Sequence, residues 1–358
     1  MKIGLIGLPL TGKTTFFNLL TNRQSDGRDI PAGKIDAGIG IAKIPDKRID
    51  FLTKMYKPKK TIYASVEVVD IPGITPGNAG TRRFLDSVRQ ADALVHVVRT
   101  FRSDGVIHIE GSVDPLRDIE TVNMELLFAD LGVVENRIGR IEEGKKTGKE
   151  FLMELEVLKK CREALENGRL IHSLGLSEDE KWHLKSFDFL TERPMILLMN
   201  LDEEQFRKGE YDGKASILKY AEERKIPAVE ASAKIELEIN GLEDEDRRLF
   251  MEDLGIRETG IARLAAAAYD YLGLISFITV GEDEVRAWPV KKGICAREAA
   301  GKIHSDLEKG FIRAEVVKYN DLEKLGSMAA VKEKGLYRLE GKDYIIEDGD
   351  IVNIRFNV

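Results

Sequence analysis

The chain has 358 residues, of which 43% are hydrophobic, and carries 55 basic against 62 acidic side chains. This composition excludes a disordered or fibrous chain, and a formal charge of −7 excludes bulk attraction to nucleic acid or an anionic membrane. Cys161 and Cys295 lie too far apart in sequence for a zinc-ligand pair, and no apolar run reaches the ~18 residues of a membrane span, so the expectation is a cytoplasmic protein of two or three domains.

The first predicted element is a strand over 2–6, which ends in a glycine-rich turn followed by a helical segment over 14–20. The turn, Gly7-Leu8-Pro9-Leu10-Thr11-Gly12-Lys13-Thr14, fits G-x-x-x-x-G-K-[ST] in the strand-to-helix setting that motif requires. Its glycines let backbone N–H groups close on phosphate oxygens, Lys13 reaches the β- and γ-phosphates, and Thr14 offers a hydroxyl to Mg²⁺. Thr15 is grouped with these phosphate-binding residues. A second strand over 65–69 leads into Asp70-Ile71-Pro72-Gly73, which places Asp70 to hold the Mg²⁺ shell and the Gly73 N–H to meet the γ-phosphate. A third strand covers 93–98.

The next stretch, 116–188, is long, charged and helical. Met124, Leu127, Leu131, Val134, Ile138 and Ile141 form one stripe, and Phe151, Leu155, Leu158 and Leu165 form another. The basic turn containing Lys145, Lys146 and Lys149 lets the two helices pack back to back as an inserted hairpin. Trp182, within it, is read as a packing residue, as is Trp288 later.

Strands over 195–199 and 228–231 resume the α/β rhythm. The first runs into Asn200-Leu201-Asp202-Glu203, where GTPases carry Asn-Lys-x-Asp, and the second into Ser232-Ala233-Lys234, which completes a base pocket. Glu203 is one methylene longer than the aspartate that accepts from guanine, and Leu201 replaces the lysine stem. Guanine selectivity should therefore be weak, and Asn200 is a candidate to pair with adenine N6 and N7. Beyond residue 271, short β-like runs at 274–280, 314–317 and 351–356 with one helix over 296–307 predict a small α+β domain, in which His304 is structural.

These residues together resemble the YchF/Obg-like ATPase family over essentially the whole chain. The resemblance rests on Gly7-Leu8-Pro9, His96-Val97-Val98-Arg99-Thr100-Phe101, the Asn-x-x-Glu base motif and Ser232-Ala233-Lys234-Ile235-Glu236. It continues through Ala287-Trp288, His304-Ser305-Asp306 and Phe356-Asn357-Val358. The fold it implies is α/β: a P-loop Ras-like NTPase domain over 1–115 and 191–273, with an antiparallel α-helical coiled-coil hairpin inserted over 116–190. A C-terminal α+β ubiquitin-like β-grasp (TGS) domain follows over 274–358.

The resemblance also implies Mg²⁺-dependent, slow hydrolysis of ATP, with GTP as a weaker ligand, an aromatic at Phe101 packed on the adenine, and base recognition by main chain near Leu201. Its implied partner is the ribosome, through the large or both subunits, with rRNA contact by the TGS domain and coiled coil. No DNA or membrane partner is expected, and the protein should be a monomer. Three departures bear on turnover. Lys34 stands where the family carries an Mg²⁺-linked threonine, Leu10 replaces a usual asparagine, and the second switch, 74–83, is short, with Ile74 at the place of the Ras-like catalytic glutamine. Lys34 is accordingly a third catalytic candidate beside Lys13 and Gly73, supplying in cis the charge that potassium would otherwise bring. A nucleotide-sensing adaptor without turnover and a true GTPase are the competing readings.

Overall fold

The computed structural model describes residues 1–22, 38–74, 79–103, 105–144 and 148–357. Lys34, Lys145 and Lys146 lie outside them, as do 75–78 of the second switch. In chain order the strands are β1 (Lys2–Ile6), β2 (Gly38–Lys43), β3 (Lys60–Ile62), β4 (Ser65–Asp70), β5 (Ala93–Arg99), β6 (Met195–Asn200), β7 (Ala228–Ala231), β8 (Leu274–Val280), β9 (Glu284–Lys291), β10 (Phe311–Lys318), β11 (Arg338–Glu340) and β12 (Asp350–Phe356). The chain forms two units, one of Met1–Ala42 with Glu67–Leu264 and one of Lys43–Val66 with Ala265–Val358.

The first unit is built on a six-stranded sheet of order β2-β4-β1-β5-β6-β7. The pairings from β4 through β1, β5 and β6 to β7 are all parallel. Every residue of β5 and β6 is buried, as a parallel strand covered on both faces requires, which is why these segments read as continuous apolar runs. The predicted strands all form, with β4, β5 and β6 each running one residue further, to Asp70, Arg99 and Asn200. β2 was not foreseen. It is an edge strand whose Ile39 and Ile41 face outward, so it carries too few buried residues to register as a hydrophobic run.

The helices that position the site are α1 (Lys13–Leu20), α2 (Lys47–Tyr56), α3 (Ala79–Arg89), α4 (Pro115–Glu143), α5 (Lys149–Glu166), α6 (Glu178–Leu184) and α7 (Glu203–Lys208). The long helix α4 serves two cores. Its first turns bury Ile119, Val122 and Leu126 with the sheet helices, and its later turns bury Val134, Ile138 and Ile141 against Leu158, Cys161 and Leu165 of α5. Met124, predicted in the hairpin stripe, is instead 42% exposed, because at that level α4 turns its buried face to the sheet. Trp182 is 65% exposed and so does not pack as predicted, whereas Trp288 stacks on Phe277 at 6.2 Å. Among the described residues no helix is long and apolar enough to cross a membrane.

In the second unit the sheet order is β11-β10-β12-β8-β9-β3. A β8–β9 hairpin, a parallel β12–β8 pair and antiparallel β10–β12 and β10–β11 pairs give the β-grasp arrangement. Ala296, Ala299 and Ala300 let the crossing helix approach the sheet closely. The helix foreseen over 296–307 breaks at His304, whose extended backbone ends one helix while its Nδ1 accepts from the Asp306 N–H at 3.2 Å to start the next. Residues Lys43–Val66, read from sequence as part of the NTPase domain, group here, because β3 pairs parallel with β9 and α2 packs on it.

Candidate nucleotide site

Among the described residues, the predicted site residues of the first unit lie at or just after the carboxyl ends of parallel strands, the usual ligand edge of an α/β sheet, while Lys34 lies outside those residues. β1 delivers the phosphate loop, β4 delivers Asp70, β5 delivers Phe101, β6 delivers Asn200 and β7 delivers Ser232. Gly12 opens α1 at φ 98°, in the left-handed region, and a Cβ there would stand 2.4 Å from Asn200 Nδ2. Leu10 also lies in that region, at φ 62°, and its side chain is 62% exposed.

Lys13 is folded onto its own loop, donating to the carbonyls of Leu8 at 2.6 Å and Gly7 at 3.2 Å. Burial pushes its pKa down to about 8, with Asp70 opposing. Thr14 Oγ1 donates to Asp70 Oδ2 at 2.7 Å, which brings the two predicted Mg²⁺ ligands together. Burial raises the Asp70 pKa, while the Thr14 hydrogen bond and Lys13 lower it. Gly73 lies against the phosphate loop so closely that a Cβ would meet Pro9 N at 2.8 Å and Lys13 Nζ at 3.1 Å. Ile74 is fully buried in the core with Leu8, so its side chain is packed away from solvent. His96, beneath the loop, is also buried, with its Nδ1 unpartnered, and burial then Lys13 push its pKa down to about 3.

At the base site the side chains have partners that the sequence reading did not contain. Asn200 is only 3% exposed, its Nδ2 donates to Thr11 O at 3.0 Å, and its Oδ1 accepts from Ala233 N–H at 3.1 Å. That side chain ties the phosphate loop to the Ser232-Ala233-Lys234 turn, using one of its two Nδ2 hydrogens and one Oδ1 lone pair. Leu201 is a core residue at 2% exposure, with its N–H bonded to Ala231 O at 2.8 Å. Glu203, at the start of α7, is held by Arg207 at 3.2 Å and Lys234 at 3.5 Å. Ser232 is fully buried and caps the following helix through its Oγ.

The sequence reading missed the groups that hold this pocket in shape. Gln205 forms a reciprocal capping box with Asp202, a signal present in the Asp-x-x-Gln spacing. Its amide also reaches Thr100, just past the end of β5. Arg99, buried to 2% exposure, reaches forward to the carbonyls of Phe101 and Val106. Further along, His108 Nε2 meets Asp118 Oδ2 of α4 at 2.8 Å and anchors the loop that follows β5.

A phosphate loop after β1, a carboxylate at the end of β4 and a base turn after β6 define the Ras-like class of P-loop nucleoside triphosphatases. A family model described as a 50S ribosome-binding GTPase matches residues 2–129, and one for the YchF-GTPase C-terminal region, described as a protein of unknown function (DUF933), matches 274–357. The "Ribosome-binding ATPase YchF" of Bacillus subtilis (strain 168) is 42% identical over 364 residues, covering 100% of both chains. The protein of that name from Escherichia coli O157:H7 is 39% identical, covering 100% of this chain and 99% of its own. The Schizosaccharomyces pombe YchF GTPase structure superposes with a TM-score of 0.88 at 31% identity, covering 99% of this chain and 97% of that one. The chain belongs to the YchF family.

Proposed function

We infer that this chain is a cytoplasmic, ribosome-binding ATPase that binds ATP in preference to GTP and turns it over slowly. The ribosome-binding and ATPase activities follow the names of its full-length relatives. The observation that carries the base preference is Glu203: it is one methylene longer than guanine's usual aspartate acceptor and is shared between Arg207 and Lys234, while Leu201 lies in the core and gives the base no lysine stem. GTP is then the weaker ligand.

A hydroxyl and a carboxylate 2.7 Å apart are the hard-oxygen donors Mg²⁺ takes, so Thr14 and Asp70 are the residues that would hold it. When bound, the ion neutralises charge on the β- and γ-phosphates. Lys13 leaves the Gly7 and Leu8 carbonyls for those oxygens, and the Gly73 main chain closes against the same loop. Ile74 cannot orient water, so hydrolysis relies on phosphate positioning and is slow. Ribosome contact falls to the helical hairpin and the β-grasp unit, and the protein acts as a monomer. The adaptor reading draws on the same buried Ile74.

The test is calorimetric titration of non-hydrolysable ATP and GTP analogues with Mg²⁺ into wild type and Glu203→Asp, beside phosphate release and co-sedimentation with ribosomes. Tighter ATP binding, narrowed by Glu203→Asp, is expected. Tighter GTP binding by the wild type removes the base assignment, and ATP binding without phosphate release leaves the adaptor.

A further inference from the structure

Gln205 belongs to no base-recognition motif, yet its carboxamide joins the two strand ends that form the pocket. Its Nε2 donates to Thr100 O at 2.9 Å, while its Oε1 accepts from Thr100 Oγ1 at 2.9 Å and from Asp202 N–H at 3.2 Å. Thr100 in turn donates its N–H to Asn200 O at 3.1 Å, and its single hydroxyl hydrogen is shared between Gln205 Oε1 and Asn200 O, which also lies 2.9 Å from Oγ1. On the other side of Phe101, Arg99 Nε donates to Phe101 O at 2.9 Å, and its guanidinium lies 4.9 Å from the Phe101 ring centroid.

The carbonyls of Thr100 and Phe101 belong to the two peptide planes that flank the Phe101 Cα. A residue's φ and ψ are the rotations of those two planes about its Cα, so fixing both carbonyls fixes the direction of the Cβ. Gln205 holds the first carbonyl and Arg99 the second. Arg99 also takes one face of the ring, which leaves the opposite face as the one available for stacking. An aromatic on an irregular segment would otherwise lose backbone and rotamer freedom on meeting a base, and that entropy would come out of the binding energy.

We propose that Gln205 and Arg99 are positioning residues that aim the Phe101 ring at the adenine, with Gln205 tying that ring to the Asn200–Glu203 turn. The proposal rests on the ATP-binding reading above, with Phe101 as the aromatic that packs on the adenine. The hydrogen bonds of both residues run to residues outside the phosphate loop, and both act through Phe101.

The experiment is a double-mutant cycle read by calorimetry with a non-hydrolysable ATP analogue and Mg²⁺, on the full chain, for Gln205→Glu, Phe101→Ala and the pair. Gln205→Glu keeps the side chain's size and its acceptor for the Asp202 N–H, and replaces the donor to Thr100 O by a charged oxygen that repels it, so the uncharged Gln205→Leu separates the lost donor from the added charge. We expect roughly a fivefold to tenfold loss of ATP-analogue affinity for Gln205→Glu, a rise in KM with kcat little changed, and no further loss when it is added to Phe101→Ala. Gln205→Leu should behave alike, and Arg99→Lys, which cannot serve both the carbonyl and the ring face, should weaken binding in the same coupled way. An unchanged affinity in Gln205→Glu overturns the proposal, as does an equal loss with and without Phe101. If Phe101→Ala alone leaves affinity unchanged, the base-site reading itself fails and takes the proposal with it.

Discussion

The Asn200 carboxamide donates to the Thr11 carbonyl at 3.0 Å, so the first residue of the base motif is a strut of the phosphate loop. Its other end accepts from Ala233, which ties three separate turns through one buried side chain. Removing it leaves a buried carbonyl and a buried N–H without partners, at a cost of about 2 kcal/mol. Asn200→Ala should therefore weaken ATP, GTP and ADP analogues alike, by roughly 30-fold, with their ratios preserved. Calorimetry on the three nucleotides checks this. A loss confined to the adenine nucleotides, ATP and ADP, would place Asn200 on the base instead.

Lys13 gives the site a pH signature. Its pKa of about 8 in the nucleotide-free fold lies below the ordinary lysine value of 10.5, so the unfolded chain holds that proton more tightly. Stability of the nucleotide-free protein should accordingly rise as pH increases from about 8 to 10.5. Phosphate oxygens favour the charged ammonium, so nucleotide binding above pH 8 must take up a proton, and affinity should fall there by up to ~10-fold per pH unit. Titrations at pH 9 in buffers of different ionisation enthalpy measure that uptake directly. Lys13→Met should show none.

Asp130 joins α4 to the segment that returns the chain to the sheet. Its carboxylate, 1% exposed, accepts from Leu190 N–H at 3.0 Å, Thr191 N–H at 2.7 Å and Thr191 Oγ1 at 2.8 Å. Asp130→Ala strands these donors in a buried place and should cost about 3 kcal/mol. Urea denaturation should show a lower midpoint with the slope unchanged. Nucleotide affinity in the folded variant should be close to wild type, because Asp130 bonds to neither the phosphate loop nor the base turn.

What the sequence disclosed and what it withheld divide along a physical line. The phosphate loop, Asp70 and the ends of β5, β6 and β7 were legible because each is a local event: an apolar run that stops at a residue with a chemical task. The structural role of Asn200 was not legible, because its partners Thr11 and Ala233 are 189 and 33 residues away and no local pattern encodes such a bond. β3 escaped for the same reason, being a three-residue strand whose parallel partner β9 begins at Glu284. Leu201 looked like a lost lysine contact, but it stands where the chain leaves β6 and is claimed by the core cluster. Gln205 alone left a local trace, its capping box, which says that a helix starts but not that the same amide reaches Thr100.

Gly73 separates binding from turnover. Its Cα lies so close to the phosphate loop that an alanine methyl would stand 2.8 Å from Pro9 N and 2.9 Å from Pro9 Cα, both backbone atoms that cannot rotate away. Either the segment after Asp70 or the loop must then shift, and the methyl also crowds Lys13 Nζ at 3.1 Å. The Asn200 carboxamide and the Thr14–Asp70 bond hold the loop independently of this contact, so the shift falls on the segment after Asp70 and the loop that holds a diphosphate stays in place. Gly73→Ala should thus hold ADP within about threefold of wild type and slow ATP turnover by roughly tenfold or more, as expected when an interaction made only on the way to reaction is lost. Phosphate release with calorimetric ADP binding tests both halves. Equal loss of ADP affinity and turnover would mean that Gly73 serves the loop's shape alone, and unchanged turnover would remove it from the catalytic set.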